Sequence, residues 1–351
     1  MLAAAAAVGV GGVAFAVRES GALARGSAQE AGPSAPLRGA APLPHAEVMA
    51  LDLTVAEAGR PAAVRAVERA VDRANDDLRV VAWLGLGVGA IHGSHQAPRR
   101  LRAMPAFPGD LLDPARSHGD LLVQVTGTSK DKTVDATRRI MSALPQRHVR
   151  WRITGTRPEN RVEDGRGLAR NSFGFTEGYG NPAGDSALAE RALVRADQGE
   201  PDWAVGGSYQ VVRIIRLADE LWHQDSPSEQ ARIVGRGRDG RWLDGTPRAK
   251  RPDFAADPRG KITPLDSHVR RAAPDRRHPP PLVRRSYNYD RGDSDRGLIF
   301  SCFQRDLATG FEAVQKRLAG EAMAKYTLTV GGGYFFVPPP GDAWLDVLFP
   351  A

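Results

Sequence analysis

The stretch Ala46–Asn75, "AEVMALDLTVAEAGRPAAVRAVERAVDRAN", changes character half-way along. Its first ten residues read as a strand. From Arg60 on, Val64, Val67, Val71 and Ala74 recur at helical spacing. Working outward, "LRVVAWLGLGV" and "GDLLVQVTGT" read as a second and a third strand, "DKTVDATRRIMSAL" as a second amphipathic helix and "HVRWRITGT" as a fourth strand. The order is βαββαβ, the ferredoxin-like arrangement. The second half repeats it. "GSYQVVRIIRLA" reads as a strand and "DELWHQDSPSEQARIVG" as a helix starting near Asp219. A long basic, Pro-rich irregular stretch from Arg236 to Asp295 comes next. It is followed by strand "GLIFSCFQ", helix "GFEAVQKRLAGEAMAKY" and strand "TVGGGYFFVPPP". Two such halves point to duplication of one α+β unit. The expected division is a leader and linker over 1–44, an N-terminal ferredoxin-like domain over 45–165 and a C-terminal one over 166–351.

With 351 residues the chain can bury a sizeable core, and 42% hydrophobic against 25% charged residues excludes a disordered class. The net charge of +7 is unevenly placed: Ala231–Gly292 holds 16 Lys/Arg against 7 Asp/Glu. Such a stretch suits a nucleic acid, a membrane surface or a small ligand bearing carboxylates or phosphates. The single cysteine, Cys302, rules out an intramolecular disulfide and thiolate zinc or iron–sulfur sites. It lies in an apolar run, as a buried inert thiol would. At the N-terminus, Leu2–Val17 is uncharged and rich in Ala, Gly and Val, with a small-residue "ALA" at Ala22–Ala24. This reads as the apolar core of an export signal.

Between the halves lies "NSFGFTEGYGNPAG", Asn171–Gly184, which sets one carboxylate, Glu177, on a glycine hinge. Ligand sites favour such junctions. His92 and His95 in "AIHGSH" have no nearby third ligand and make a poor metal pair. His268 in "PLDSHVRRAAPD" lies inside the basic stretch, sixteen residues before Arg284 in "LVRRSYNYDRG". A neutral imidazole can bind an iron from one side. A carboxylate and a guanidinium on the other can handle a peroxide, the first moving a proton and the second stabilising negative charge.

These residues stand in blocks that resemble a family. "GFTEGYGNP" is similar to the GFxDGxxNP form of the GxxDG hallmark of dye-decolorising peroxidases. "PAFPGDLLDPARSHGDLLVQV", "SHVRRAAPD", "LVRRSYNYDRG", "GLIFSCFQRDLATGFEAVQKRLAGEAM" and "VGGGYFFVPP" look like further family blocks in family order. The resemblance runs from about Ala46 onward and points to the exported branch that includes deferrochelatase/peroxidase proteins. It implies two ferredoxin-like domains with antiparallel sheets, of the dimeric α+β barrel type, holding haem b mainly in the second. By motif position it implies His268 as proximal iron ligand, Glu177 and Arg284 as the distal catalytic pair, and Arg285 as the reserve for Arg284. Leu298 and Phe300 match apolar residues of the distal pocket, and Phe175 and Gly178 flank Glu177 against the cofactor. The basic stretch then wraps haem propionates, which leaves nucleic acid unnecessary.

The implied activity is peroxide reduction, with one-electron oxidation of dyes, phenolics or metal ions. Iron release from haem is the alternative within the fold, and haem carriage with little turnover is a third reading. A homo-oligomer and partners in iron uptake or copper handling are compatible with the resemblance. The implied location is extracytoplasmic, reached folded through the twin-arginine route, with a signal that looks incomplete at its N-terminus. Trp203, Trp222, Trp242, Tyr209, Tyr287 and Tyr289 are candidates for relaying oxidising equivalents, and Tyr179 for bordering the haem channel. Two departures stand out. The family Asp is Glu177 here. Lys325 occupies a position where many relatives carry an acid as partner of the proximal His, which leaves Glu321 or Asp266 to substitute.

Overall fold

The computed structural model describes residues 34–77, 79–248, 250–274 and 280–349. The expected export segment lies outside these residues. The described residues form twelve strands: β1 His45–Leu53, β2 Val80–Leu86, β3 Leu121–Gly127, β4 Arg147–Thr156, β5 Arg161–Glu163, β6 Arg166–Arg170, β7 Thr176–Glu177, β8 Ser208–Leu217, β9 Val283–Arg284, β10 Tyr287–Asp290, β11 Arg296–Gln304 and β12 Thr327–Val337.

β1 shows why its sequence lacks a polar alternation. Ala46, Val48 and Ala50 face one apolar cluster, with Trp151, Ile153, Val212 and Ile214. Met49, Leu51 and Leu53 face another, with Val64, Val67 and Val71 of the helix Arg60–Asn75 and Ile140 of the helix Lys130–Ser142. Successive side chains point to opposite faces of a strand, so a strand covered on both faces reads as a continuous apolar run. Helices cover the first half's outer face, and the second half covers its inner face.

Within the first half the strand order is β4-β1-β3-β2, and within the second β12-β8-β11-β10, all antiparallel. Both are the order of a ferredoxin-like unit. The halves join at two single-pair seams, Phe336 with Leu86 and Asn288 with Thr156. With β10 also paired to β11, the eight strands close on themselves, and β9 continues the line of β10 along β11. Closure removes most free strand edges. A buried amide network ties the halves inside the closed sheet. Gln210 Nε2 donates to Gln124 Oε1 (2.8 Å) and Ser301 Oγ (3.0 Å), and Trp83 Nε1 donates to Gln210 Oε1 (2.9 Å).

Three local expectations need correction. The helix expected over 219–235 is two helices, Asp219–Gln224 and Pro227–Val234. Ser226 caps the second, accepting from Glu229 N at 3.2 Å, and Pro227, which lacks an N–H, suits its first turn. The helix expected over 310–326 is interrupted. A π-turn Ala308–Glu312 runs into Ala313–Leu318, Gly320 takes φ +73°, and a 3₁₀ turn Ala322–Tyr326 follows. The stretch 236–295 is not wholly irregular, since it holds the helix His268–Ala272, β9 and β10. The small sheet β5-β6-β7 was not foreseen. Its strands have two to five residues, too few for a periodic pattern.

Candidate active site

The hinge is built to hold one carboxylate. Asn171 Oδ1 accepts from Phe175 N (2.9 Å) and Asn171 O accepts from Gly174 N (2.9 Å), with Gly174 at φ +82°. Phe173 and Phe175 enter an aromatic cluster with Trp222 and Tyr326, and Phe173 stacks on Trp222 at 4.3 Å. Thus anchored, the chain forms β7, where Glu177 pairs with Ala169 of β6.

The motif's remaining residues serve the neighbouring strand. A Cβ on Gly180 would lie 2.5 Å from Arg284 Nη2, so glycine leaves the guanidinium its space. Asn181 accepts from Arg284 N (2.9 Å) and donates to Arg284 O (2.8 Å), clamping the edge of β9 that faces away from β11. Gly178 has φ +109°, and a Cβ there would meet the Gly167 carbonyl oxygen at 2.2 Å. Gly178→Ala is therefore expected to destabilise the fold by about 2 kcal/mol or more, as a strained backbone does. Thermal unfolding beside wild type checks this, and an unchanged Tm would contradict it.

Arg284 and Arg285 are separated by strand alternation. Arg284 pairs with Cys302 of β11 and lines a cavity of about 380 Å³. Arg285 points away, and its guanidinium donates to the carbonyls of Leu37 (3.4 Å), Gly39 (2.7 Å) and Ala40 (3.2 Å). The residue held in reserve is thus a structural tie to the segment preceding β1.

The same cavity is lined by Glu177, Phe175, Gly178, Tyr179, Leu298, Phe300 and His268. His268 opens a short helix, and its Nδ1 lies 2.7 Å from Glu321 Oε2. The two meet because Ala322 N donates to Asp266 O (3.0 Å), laying the two segments side by side. Glu321 is therefore the acid that faces His268, Asp266 lends a backbone carbonyl, and Lys325 turns to Asp225 (3.8 Å) and the Tyr326 ring. Burial alone would depress the His268 pKa, but the charge and hydrogen bond of Glu321 outweigh it and raise the pKa. Burial raises the Glu177 pKa above the ordinary carboxylate value, partly offset by Arg157 and Arg284. Burial lowers that of Arg284, which Glu177 counteracts.

Arg157 has no place in the sequence reading. Its guanidinium is buried, donates to Ser286 O (2.6 Å) and Asn160 Oδ1 (3.0 Å), and lies 3.5 Å from Glu177 Oε1. Nothing in "TGTRPEN" marks it among the chain's many arginines. Of the proposed relay residues, Trp242 lines the cavity, Trp222 sits in the hinge's aromatic cluster, and Tyr209 donates to Glu200 (2.8 Å). Among the described residues no group of three or more His, Cys, Asp or Glu could hold a metal ion by itself.

A cavity with an imidazole whose Nδ1 is engaged, a carboxylate and guanidinium pair, and apolar walls has the parts a haem pocket needs. The residues present fit that group. Nε2 of His268 has no protein partner among the described residues, and its Nδ1 partner fixes the ring. Ile215, Leu217, Leu282 and Phe300 supply apolar surface. The wall also gathers Arg236, Arg251 and Arg284. Burial and the like charges of Arg284 and Arg251 bring Arg236 down to about 9, a setting that favours anionic groups such as propionates.

The comparisons with known proteins agree. The models "Dyp-type peroxidase, N-terminal" and "Dyp-type peroxidase, C-terminal" match residues 48–157 and 168–342. The chain belongs to the Dyp-type peroxidase family. It is 40% identical over 260 residues to the deferrochelatase of Escherichia coli K12, covering 70% of this chain and 60% of that protein's length. The DyP-type peroxidase of Streptomyces coelicolor superposes with a TM-score of 0.79 at 28% identity, over 92% of this chain and 97% of that one. Ferric DtpA from Streptomyces lividans gives 0.80 at 28% identity, over 91% and 97%. A variant of Rhodococcus jostii DypB, solved in complex with heme, shares the fold at 0.69 and 22% identity, over 89% and 97%. The cofactor of the family is haem b.

Proposed function

We propose that this chain is a haem b peroxidase that reduces hydrogen peroxide and oxidises a reducing substrate in one-electron steps. The observation that carries the reading is one cavity shared by Glu177, Arg284 and the His268–Glu321 pair. His268 would hold the iron through Nε2, with Glu321 fixing the ring through Nδ1. Bound haem supplies the redox-active iron at which peroxide is cleaved. Glu177 accepts a proton from one peroxide oxygen at its carboxylate and returns it to the departing one, which leaves as water. The Arg284 guanidinium stabilises the negative charge on the departing oxygen. Leu298 and Phe300 exclude bulk water, which strengthens both interactions.

The test is turnover of a dye or phenol by the haem-loaded protein with hydrogen peroxide. Saturable oxidation supports the reading, and firm haem binding without peroxide consumption would move haem carriage forward. The 40% identity to a deferrochelatase favours iron release from haem as a second reading. Iron-free porphyrin as product, formed without peroxide, would decide for it. The uncharged Leu2–Val17 run supports an extracytoplasmic location. Fractionation of cells expressing the tagged gene tests this, and a wholly cytoplasmic protein would refute it.

A further inference from the structure

A glutamate at the hinge presents a problem that an aspartate does not. Its extra methylene moves the carboxylate on the order of 1 Å and adds a rotatable bond, and misplacement of that size can cost ~10²-fold in rate. The structure holds a partner placed to take up this slack. Arg157 follows β4, so it comes from the first half of the chain, and its side chain is 4% exposed. Its guanidinium is fixed independently of Glu177. Nη1 donates to Ser286 O (2.6 Å), Nε donates to Asn160 Oδ1 (3.0 Å), and the Tyr287 ring centroid lies 5.8 Å away. From that position Nη1 lies 3.5 Å from Glu177 Oε1. The other charged group facing Glu177 is Arg284, from β9 in the second half. The carboxylate thus lies in the field of two guanidinia, one from each half.

We propose that Arg157 is a positioning residue that draws the Glu177 carboxylate toward the first half and holds it ionised for its work beside Arg284. The inference rests on the peroxidase reading for its purpose. The planar fork matters, because one guanidinium can serve Ser286, Asn160 and Glu177 together, where a lysine offers a single point charge. The first half then contributes to the chemistry as well as to the barrel.

The experiment is an infrared difference titration of the Glu177 carboxyl in the haem-free protein, with Glu177→Gln to assign the band. In Arg157→Gln the protonation midpoint should rise by about one pH unit or more, the effect of losing a nearby opposite charge. Arg157→Lys should recover part of that shift. In the haem-loaded protein the acid limb of the rate of reaction with peroxide should move by the same amount. A midpoint in Arg157→Gln within a few tenths of a unit of wild type would overturn the proposal. If that variant does not fold, Asn160→Ala frees Nε alone, and a shift in the same direction is expected. An unmoved midpoint there counts equally against the tether. A wild-type protein that binds haem yet fails to consume peroxide would sink the peroxidase reading and leave the carboxyl titration interpretable.

Discussion

Glu177→Gln is expected to lower the rate of reaction with hydrogen peroxide about 10²- to 10⁴-fold, the usual weight of a positioned acid–base group. Haem binding should change little, because on this reading His268, not Glu177, would hold the iron. The substitution keeps size and polarity but replaces the ionisable carboxylate with a neutral amide that cannot accept and return a proton. Stopped-flow mixing of haem-loaded wild type and variant reads the effect directly, and equal rates would rule out a base role for Glu177. The pH dependence follows from the environment. Burial raises the Glu177 pKa, and Arg157 and Arg284 only partly counteract it. The ionised, working form is therefore lost as pH falls through a value above the ordinary carboxylate range, and the acid limb of the wild-type profile should lie there. The variant should lack that limb.

The same raised pKa has a consequence for stability. A folded state that binds the proton more tightly than the unfolded chain is favoured by that group at low pH, and the benefit is lost as pH rises through the folded pKa. Glu177→Gln should therefore melt higher than wild type at neutral pH, and the two should converge in acid. A catalytic group held at the expense of stability is the ordinary compromise of an active site.

His268→Ala should weaken haem binding by about 10²-fold or more, since loss of an outer partner alone commonly costs 10–100-fold. Glu321→Gln should show that smaller loss and an altered absorption spectrum of the bound haem. Haem titration of the apoprotein by difference absorbance measures both. Unchanged affinity in His268→Ala would show that the imidazole is not the axial ligand, whatever the turnover. Lys325→Ala serves as the reference. Its ammonium lies near Asp225 and the Tyr326 ring, and the variant should bind haem as wild type does.

The legible parts of this protein are those written in short-range pattern. Helical spacing at Val64, Val67 and Val71 and the apolar runs of β1, β2 and β3 follow from local periodicity, and the first βαββαβ half follows from its order, whereas β10 of the second half lay hidden in the stretch read as irregular. The hinge was legible from its glycine pattern alone, although what two of those glycines answer to is not local: Gly178 to its positive φ and the Gly167 carbonyl, Gly180 to the space Arg284 needs. The family blocks place His268, Glu177 and Arg284 in one task without any coordinates.

Other features depend on contacts between distant segments. By local pattern Arg284 and Arg285 are equivalent, and only motif position favours Arg284. Their separation needs the register of β9 on β11, which turns one into the cavity and the other toward Leu37, Gly39 and Ala40. With Lys325 at the family's acid position, Glu321 and Asp266 were rivals until the hydrogen bond from Ala322 N to Asp266 O brought one carboxylate to His268. Arg157 was invisible because its partners, Ser286 and Glu177, are far from it in sequence. The closure of eight strands rests on two single-pair seams, which no strand announces. The amino-acid sequence by itself determined the elements, their order and the residue types of the site, because these depend on neighbours along the chain. The tertiary structure alone decided which arginine faces the cavity, which acid holds the imidazole and which cation steadies Glu177, because strand register and segment packing bring together side chains that local pattern cannot relate.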